Sequence, residues 1–169
     1  MTPVGGCRSE EQDNQIELGV AAMAIAASTA LGQTGGMNHY SAEELKQMAH
    51  KLEQQENFRT TGSAGETLDT YPGSFTMLTV RNASGGAEMH EHYADIFFVV
   101  DGEATLTSGG TIVDPKTTDP GEARGSAVFG GVERKLGKGD VVHISPNTPH
   151  QLSIPKGRTF TYFVVKVKE

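Results

Sequence analysis

Between Phe75 and Val167 the chain is a succession of short apolar runs separated by turn residues, and no other feature constrains its fold as much. The runs are 75–81, 96–100, 103–107, 111–113, 127–132, 133–136, 141–144, 151–154 and 160–167. Pro72-Gly73, Asp101-Gly102, Gly109-Gly110, Gly130-Gly131 and Pro155-Lys156-Gly157 punctuate them. Strands this short, recurring about every 8–12 residues, predict an all-β sandwich or barrel. The polar, Pro-containing stretch 114–125 reads as a surface loop, a candidate lid over the barrel mouth. Arg59 to Tyr71 reads as loop or edge strand leading in.

Within this series, Glu88-Met89-His90-Glu91-His92-Tyr93-Ala94-Asp95 leads into the apolar run 96–100. Residues two apart in an extended chain point to the same side. A strand through His90 and His92 therefore offers two imidazoles to one point, as a metal ion requires. Asp95 either adds a hard oxygen ligand or caps the strand as a turn residue. Glu88 falls on the side of the histidines, as an acid–base group or as a solvated rim residue. Asp101-Gly102 reads as a tight hairpin turn. A second stretch, from Gly139 to His150, combines a turn, a short strand, a Pro-rich bend and one more histidine. Asp140 is expected to fix its turn by bonding the backbone, and His143 to be a wall or interface residue.

These two stretches resemble the two motifs of the cupin superfamily. The first is a glycine, His-x-His, and an acidic residue seven before a second glycine, here Gly86, His90, His92, Asp95 and Gly102. The second is carried by Gly139, Asp140, Pro146 and His150. The resemblance spans Phe75 to Lys168 and implies a cupin-type double-stranded β-helix, a jelly-roll barrel. It also implies one divalent transition metal, Fe, Mn, Ni, Cu or Zn, held by His90, His92, Asp95 and His150. In one respect the chain departs from the family. The usual acidic residue is a glutamate four or five positions after the second histidine, whereas Asp95 follows His92 by three. The loop is shorter and the arm has lost a methylene. Apolar side chains from Phe75, Phe97 or Phe98, Leu152 and Tyr162 are expected to keep the site dry.

At 169 residues the chain exceeds what one such barrel needs. Residues 1–37 are set apart as a disordered or signal-peptide-like leader, 38–58 as one N-terminal α-helix, and 59–169 as the barrel. Leu18–Gly32 is uncharged and too short for a membrane span, which takes about 20 residues. It has the length of a signal-peptide core, with Ala30 and Gly32 as small residues before a cleavage point at Gln33. An exported, periplasmic protein is the expectation. The acidic flank of Glu10, Glu11, Asp13 and Glu17 leaves open a helix packed on a partner, or a start site assigned too early. Further on, Ser41 and Glu44 form a capping box. Leu45, Met48, Ala49 and Leu52 share one helix face. That helix is expected to plug a barrel end or to cover a neighbouring subunit.

A net charge of −7 with no basic run gives nothing to attract a phosphate backbone, so nucleic acid is excluded as a partner. The lone Cys7 excludes an internal disulfide and a core thiol nucleophile. Phosphate-loop and nucleophile-elbow patterns are absent. The resulting expectation is a mononuclear-metal enzyme, dioxygenase-like or isomerase-like, acting on a small oxygenated molecule, in a homodimer with no stable membrane span. The alternative is a non-catalytic module that binds a small molecule or a metal.

Overall fold

Helix α1 (Ala42–Glu53) begins where the capping box requires. The Glu44 amide donates to Ser41 Oγ at 3.2 Å, and the Ser41 amide donates to Glu44 Oε2 at 2.8 Å. A short second helix, α2 (Glu56–Thr61), follows, so the N-terminal segment holds two helices in place of the single one expected. Gly62, in the left-handed region at φ +73°, ends it. The structure, a computed structural model, describes residues 36–169. The leader expected over 18–32 and Cys7 lie outside the described residues. Among the described residues, no helix is long and apolar enough to cross a membrane.

The strands run in order: β1 (Ser63–Tyr71), β2 (Ser74–Arg81), β3 (Ala87–His90), β4 (Tyr93–Ser108), β5 (Thr111–Val113), β6 (Lys116–Asp119), β7 (Glu122–Gly125), β8 (Ala127–Phe129), β9 (Val132–Gly137), β10 (Val141–Ile144), β11 (His150–Ser153) and β12 (Phe160–Lys168). Strand β4 belongs to two groups. Its first half pairs with β12 and β10, and β12 continues to β2 and β1. Its second half pairs with β11 and β9, and β11 continues to β3, β7 and β6. A two-stranded ribbon of β5 and β8 stands apart.

The hairpin expected at Asp101-Gly102 is absent, because the runs on either side do not pair with each other. They are one strand, β4, with a register irregularity where Thr161 opposes Asp101 and Tyr162 opposes Val99. Gly102 sits there at φ +81°, and a Cβ on it would collide with the Thr159 carbonyl. A bulge of this kind bends a strand and increases its twist, which lets β4 pass from one group of strands to the other. The loop expected over 114–125 is likewise replaced by structure. Strands β6 and β7 form an antiparallel hairpin, and β7 pairs with β3 from Ala87 to His90.

Alternation on β2 explains where the helices lie. Leu78 and Val80 point outward and are 0 % exposed, packed with Ala64, Ala49, Leu52 and Phe58. Leu45 and Met48 complete this layer, so all four expected stripe residues of α1 are used. The helices therefore cover the outer face of β1 and β2 and do not plug a barrel end. The opposite side of β2 carries Met77, Thr79 and Arg81 into a cavity. A second apolar cluster lies inside the curl. Phe97, Val99, Ala104 and Leu106 of β4 meet Leu152, Phe160, Tyr162 and Val164 there.

Candidate functional site

Strand register builds the site. On β3, Glu88 and His90 share a side; on β7, Arg124 lies directly opposite Glu88 and Glu122 opposite His90. On β4, Asp95 follows the inward face of Phe97 and Val99, and Lys166 of β12 lies opposite it. His150, first residue of β11, lies opposite Glu88. Directly opposed residues in an antiparallel pair bring their side chains together. Four side-chain contacts follow: the ion pairs Arg124 with Glu88 and Lys166 with Asp95, and the contacts of His90 with Glu122 and His150 with Glu88. Glu88, His90, Asp95, Arg124 and Lys166 border a cavity of about 340 Å³, with Phe97, Tyr162 and Val164 also in its wall.

Hydrogen bonding fixes which ring nitrogens face inward. Lys166 Nζ, a donor only, lies 2.8 Å from His90 Nε2, so that nitrogen accepts. His90 Nδ1 then carries the proton and donates to Glu122 Oε2 at 2.6 Å. His150 Nδ1 donates to the Thr148 carbonyl at 3.0 Å, which leaves its lone pair on Nε2. That Nε2 is, among the described residues, the one buried side-chain polar atom without a hydrogen-bond partner. Both imidazoles thus turn an Nε2 lone pair towards Asp95 while an outer acceptor holds Nδ1, the arrangement seen around metal-bound histidines.

His150 is 1 % exposed, Asp95 2 % and His90 5 %. Burial pushes the His150 imidazole down to about 4, the Thr148 bond and the Asp95 charge opposing it only in part. For Asp95, burial pushes the carboxyl upward, but the His90 ring and the Lys166 ammonium outweigh it and hold it below the usual carboxylate range. Arg124 is also held below its ordinary value, first by burial and then by the charge of Arg81.

Glu88, His90 and His150 form a cluster able to hold a metal ion. His150 Nε2 lies 3.5 Å from Glu88 Oε1 and 3.7 Å from Asp95 Oδ2, and His90 Nε2 lies 3.4 Å from Asp95 Oδ2. Donors at about 2.1 Å from a tetrahedral ion stand about 3.4 Å apart, so the spacing fits a divalent transition metal. Lys166 is the exception within the cluster. Its ammonium occupies the His90 lone pair and bonds Asp95 Oδ1 at 2.6 Å.

No family model matches the chain, and no curated protein matches its sequence. Solved structures do match. A conserved protein with a double-stranded β-helix domain from Klebsiella pneumoniae aligns over 81 % of this chain and 89 % of its own, at 14 % identity and a TM-score of 0.54. A cupin-like protein from Thermotoga maritima aligns over 62 % and 68 %, at 17 % identity and a TM-score of 0.46. The chain has the cupin fold. The DMSP lyase DddQ from Ruegeria pomeroyi also matches, at 17 % identity and a TM-score of 0.48 over 68 % of this chain; the chain spans about half of that protein, 51 %.

Within this fold, three of the four residues expected as ligands converge: His90, Asp95 and His150. The fourth, His92, does not. Strand β3 ends at His90, and 91–92 form a bend, so the alternation that would carry His92 inward stops one step short. The Glu91 amide donates to the Gly121 carbonyl at 2.8 Å and the Glu169 amide to the His92 carbonyl at 3.0 Å, tying this bend to the chain's end and to the β6–β7 turn. His92 is exposed, its ring against Gly121. Glu88 stands in the cluster in its place.

Among the expected apolar neighbours, Phe97 and Tyr162 line the cavity, Leu152 lies in the inner cluster, Phe98 points outward, and Phe75 packs edge-on to Tyr93 at 5.7 Å. His143 is exposed on β10, and Asp140 Oδ2 accepts the Gly137 amide at 2.8 Å, fixing its turn. Sequence reasoning missed Glu122, Arg124 and Lys166. For Lys166 a signal existed, since it continues the period-two stripe Phe160, Tyr162 and Val164 that faces inward.

Proposed function

We propose that this protein is a mononuclear metal-binding cupin acting on a small oxygenated molecule, with His90, His150, Glu88 and Asp95 as the ligand set. The observation that carries this reading is the buried His150 Nε2, unpartnered and aimed at the same point as His90 Nε2. A divalent cation held there would act as a Lewis acid on a substrate oxygen, in support of dioxygenase-like or isomerase-like chemistry. The chain's own groups do the rest. Glu122 orients His90, the Thr148 carbonyl orients His150, and Lys166 holds Asp95 ionised. Phe97, Tyr162 and Val164 exclude water from one wall. Homodimer formation is part of the proposal; the exposed Phe98 and Val141, opposed on β4 and β10, support it, and light scattering in solution tests it.

The deciding experiment is elemental analysis of the purified protein beside His150→Ala and His92→Ala. One Fe, Mn, Ni, Cu or Zn per chain, lost in His150→Ala and retained in His92→Ala, is the expected result. Failure to take up any of these ions after reconstitution would sink the reading.

One observation favours a second reading. Lys166 already supplies a cation to His90 and Asp95. In a metal-free pocket the same groups would bind a ligand or move protons as an acid–base pair. Protein without metal that still binds small molecules, and loses binding in Lys166→Met, would favour that alternative.

A further inference from the structure

Two arginines face the same cavity from opposite groups of strands, Arg81 from β2 and Arg124 from β7. Their partners differ. Arg124 is held by Glu88 and, at 3.6 Å, by Glu122. Arg81 gives its Nε to the Tyr162 hydroxyl at 3.1 Å and makes no ion pair among the described residues. That bond turns the guanidinium so that the two terminal nitrogens remain as donors. Gly85 packs against them; a Cβ there would stand only 3.0 Å from Arg81 Nη1. Two parallel N–H groups on one planar edge match the two oxygens of a carboxylate. The charges nearby agree. Arg81, Arg124 and Lys166 balance Glu88, Glu122 and Asp95, so a bound divalent ion would leave the site positive and in need of an anion. The like charges of Arg81 and Arg124 also repel across the cavity, and a shared anion relieves that repulsion.

We propose that Arg81 is the carboxylate anchor of this cavity, and that the molecule bound here is a small organic acid whose other end reaches the His90–His150 cluster. The inference rests on the proposed use of this cavity as the reaction site and gives that site a substrate class. Arg124 adds field, while Arg81 makes the direct bonds. Tyr162 positions Arg81.

The test uses the full chain without metal and titrates it with lactate, with the neutral isostere lactamide and with inorganic phosphate, followed by NMR. Lactate is expected to bind at least about tenfold more tightly than lactamide, as one charge-assisted bidentate pair would give. Arg81→Gln is expected to erase that preference, and Arg81→Lys to keep part of it. Zinc uptake should be the same in Arg81→Gln as in the wild type, so the metal reading and this one fail independently. Equal affinity for lactate and lactamide in the wild type would overturn the assignment whatever the variants do. So would a preference that survives in Arg81→Gln, or tighter binding of phosphate than of lactate.

Discussion

The two faces of β2 are built on one alternation and serve different ends. Outward, Leu78 and Val80 meet α1 and α2 in a layer made wholly of apolar side chains. Inward, Met77, Thr79 and Arg81 border a cavity where charges meet in pairs. Free energy on the outer face comes from area removed from water, about 1.5–3 kcal/mol for each large side chain fully buried. On the inner face ionic groups are taken out of water, and each relies on a named partner to offset the cost. The outer layer is thus insensitive to bound cations, whereas the inner face depends on which cation stands between His90 and Asp95.

Removing that cation should produce the largest effect. Lys166→Met leaves a buried Asp95 carboxylate unpaired and should destabilise the metal-free protein by about 3–5 kcal/mol in urea unfolding. Saturating zinc should restore most of the loss. On the opposite face, Leu78→Ala should cost about 3 kcal/mol through transfer and cavity terms, and zinc should restore none of it. Rescue of both variants, or of neither, would erase the distinction between the faces.

Acid should act next, and only through the inner face. The His150 imidazole is held at about 4 against an ordinary 6.5. The unfolded chain therefore binds a proton below 6.5 that the folded chain refuses. Stability is complete above that pH and is lost progressively down to about 4, on the order of 3 kcal/mol in all. Asp95, held low, adds its own loss only below the ordinary carboxylate pKa. Unfolding measured across this window should flatten in His150→Gln and keep its slope in Leu78→Ala. The smallest effect belongs to the helix start. Ser41→Ala should cost about 1 kcal/mol, with no change in zinc uptake.

Much of this was legible in the chain because it is local. The α1 stripe, the Ser41–Glu44 box, the Asp140 turn and most strand positions follow from neighbours a few residues apart. The pairing of strands is not local. Asp101-Gly102 has the composition of a hairpin turn, yet both flanks find better partners elsewhere, and the glycine serves a bulge. The polar composition of 114–125 suits a loop, yet Glu122 and Arg124 are polar because they face His90 and Glu88. Lys166 and His90 meet across 76 positions, and Lys166 and Asp95 across 71. His92 shows the reverse failure. A two-residue spacing carries a side chain inward only while the strand continues, and nothing local to His-x-His announces that β3 stops at His90.

The division of β4 has a mechanical consequence. Asp95 sits on its first half and Lys166 on β12, which pairs with that half; Glu88, His90 and His150 hang from the strands joined to its second half. Strand β4 is the one strand that belongs to both groups, and it bends between them at Gly102. An ion gripped by both would act as a clasp on a hinge. Amide exchange in β3 and β11 would then slow on loading, and a molecule able to pry that clasp open would loosen the barrel as a whole.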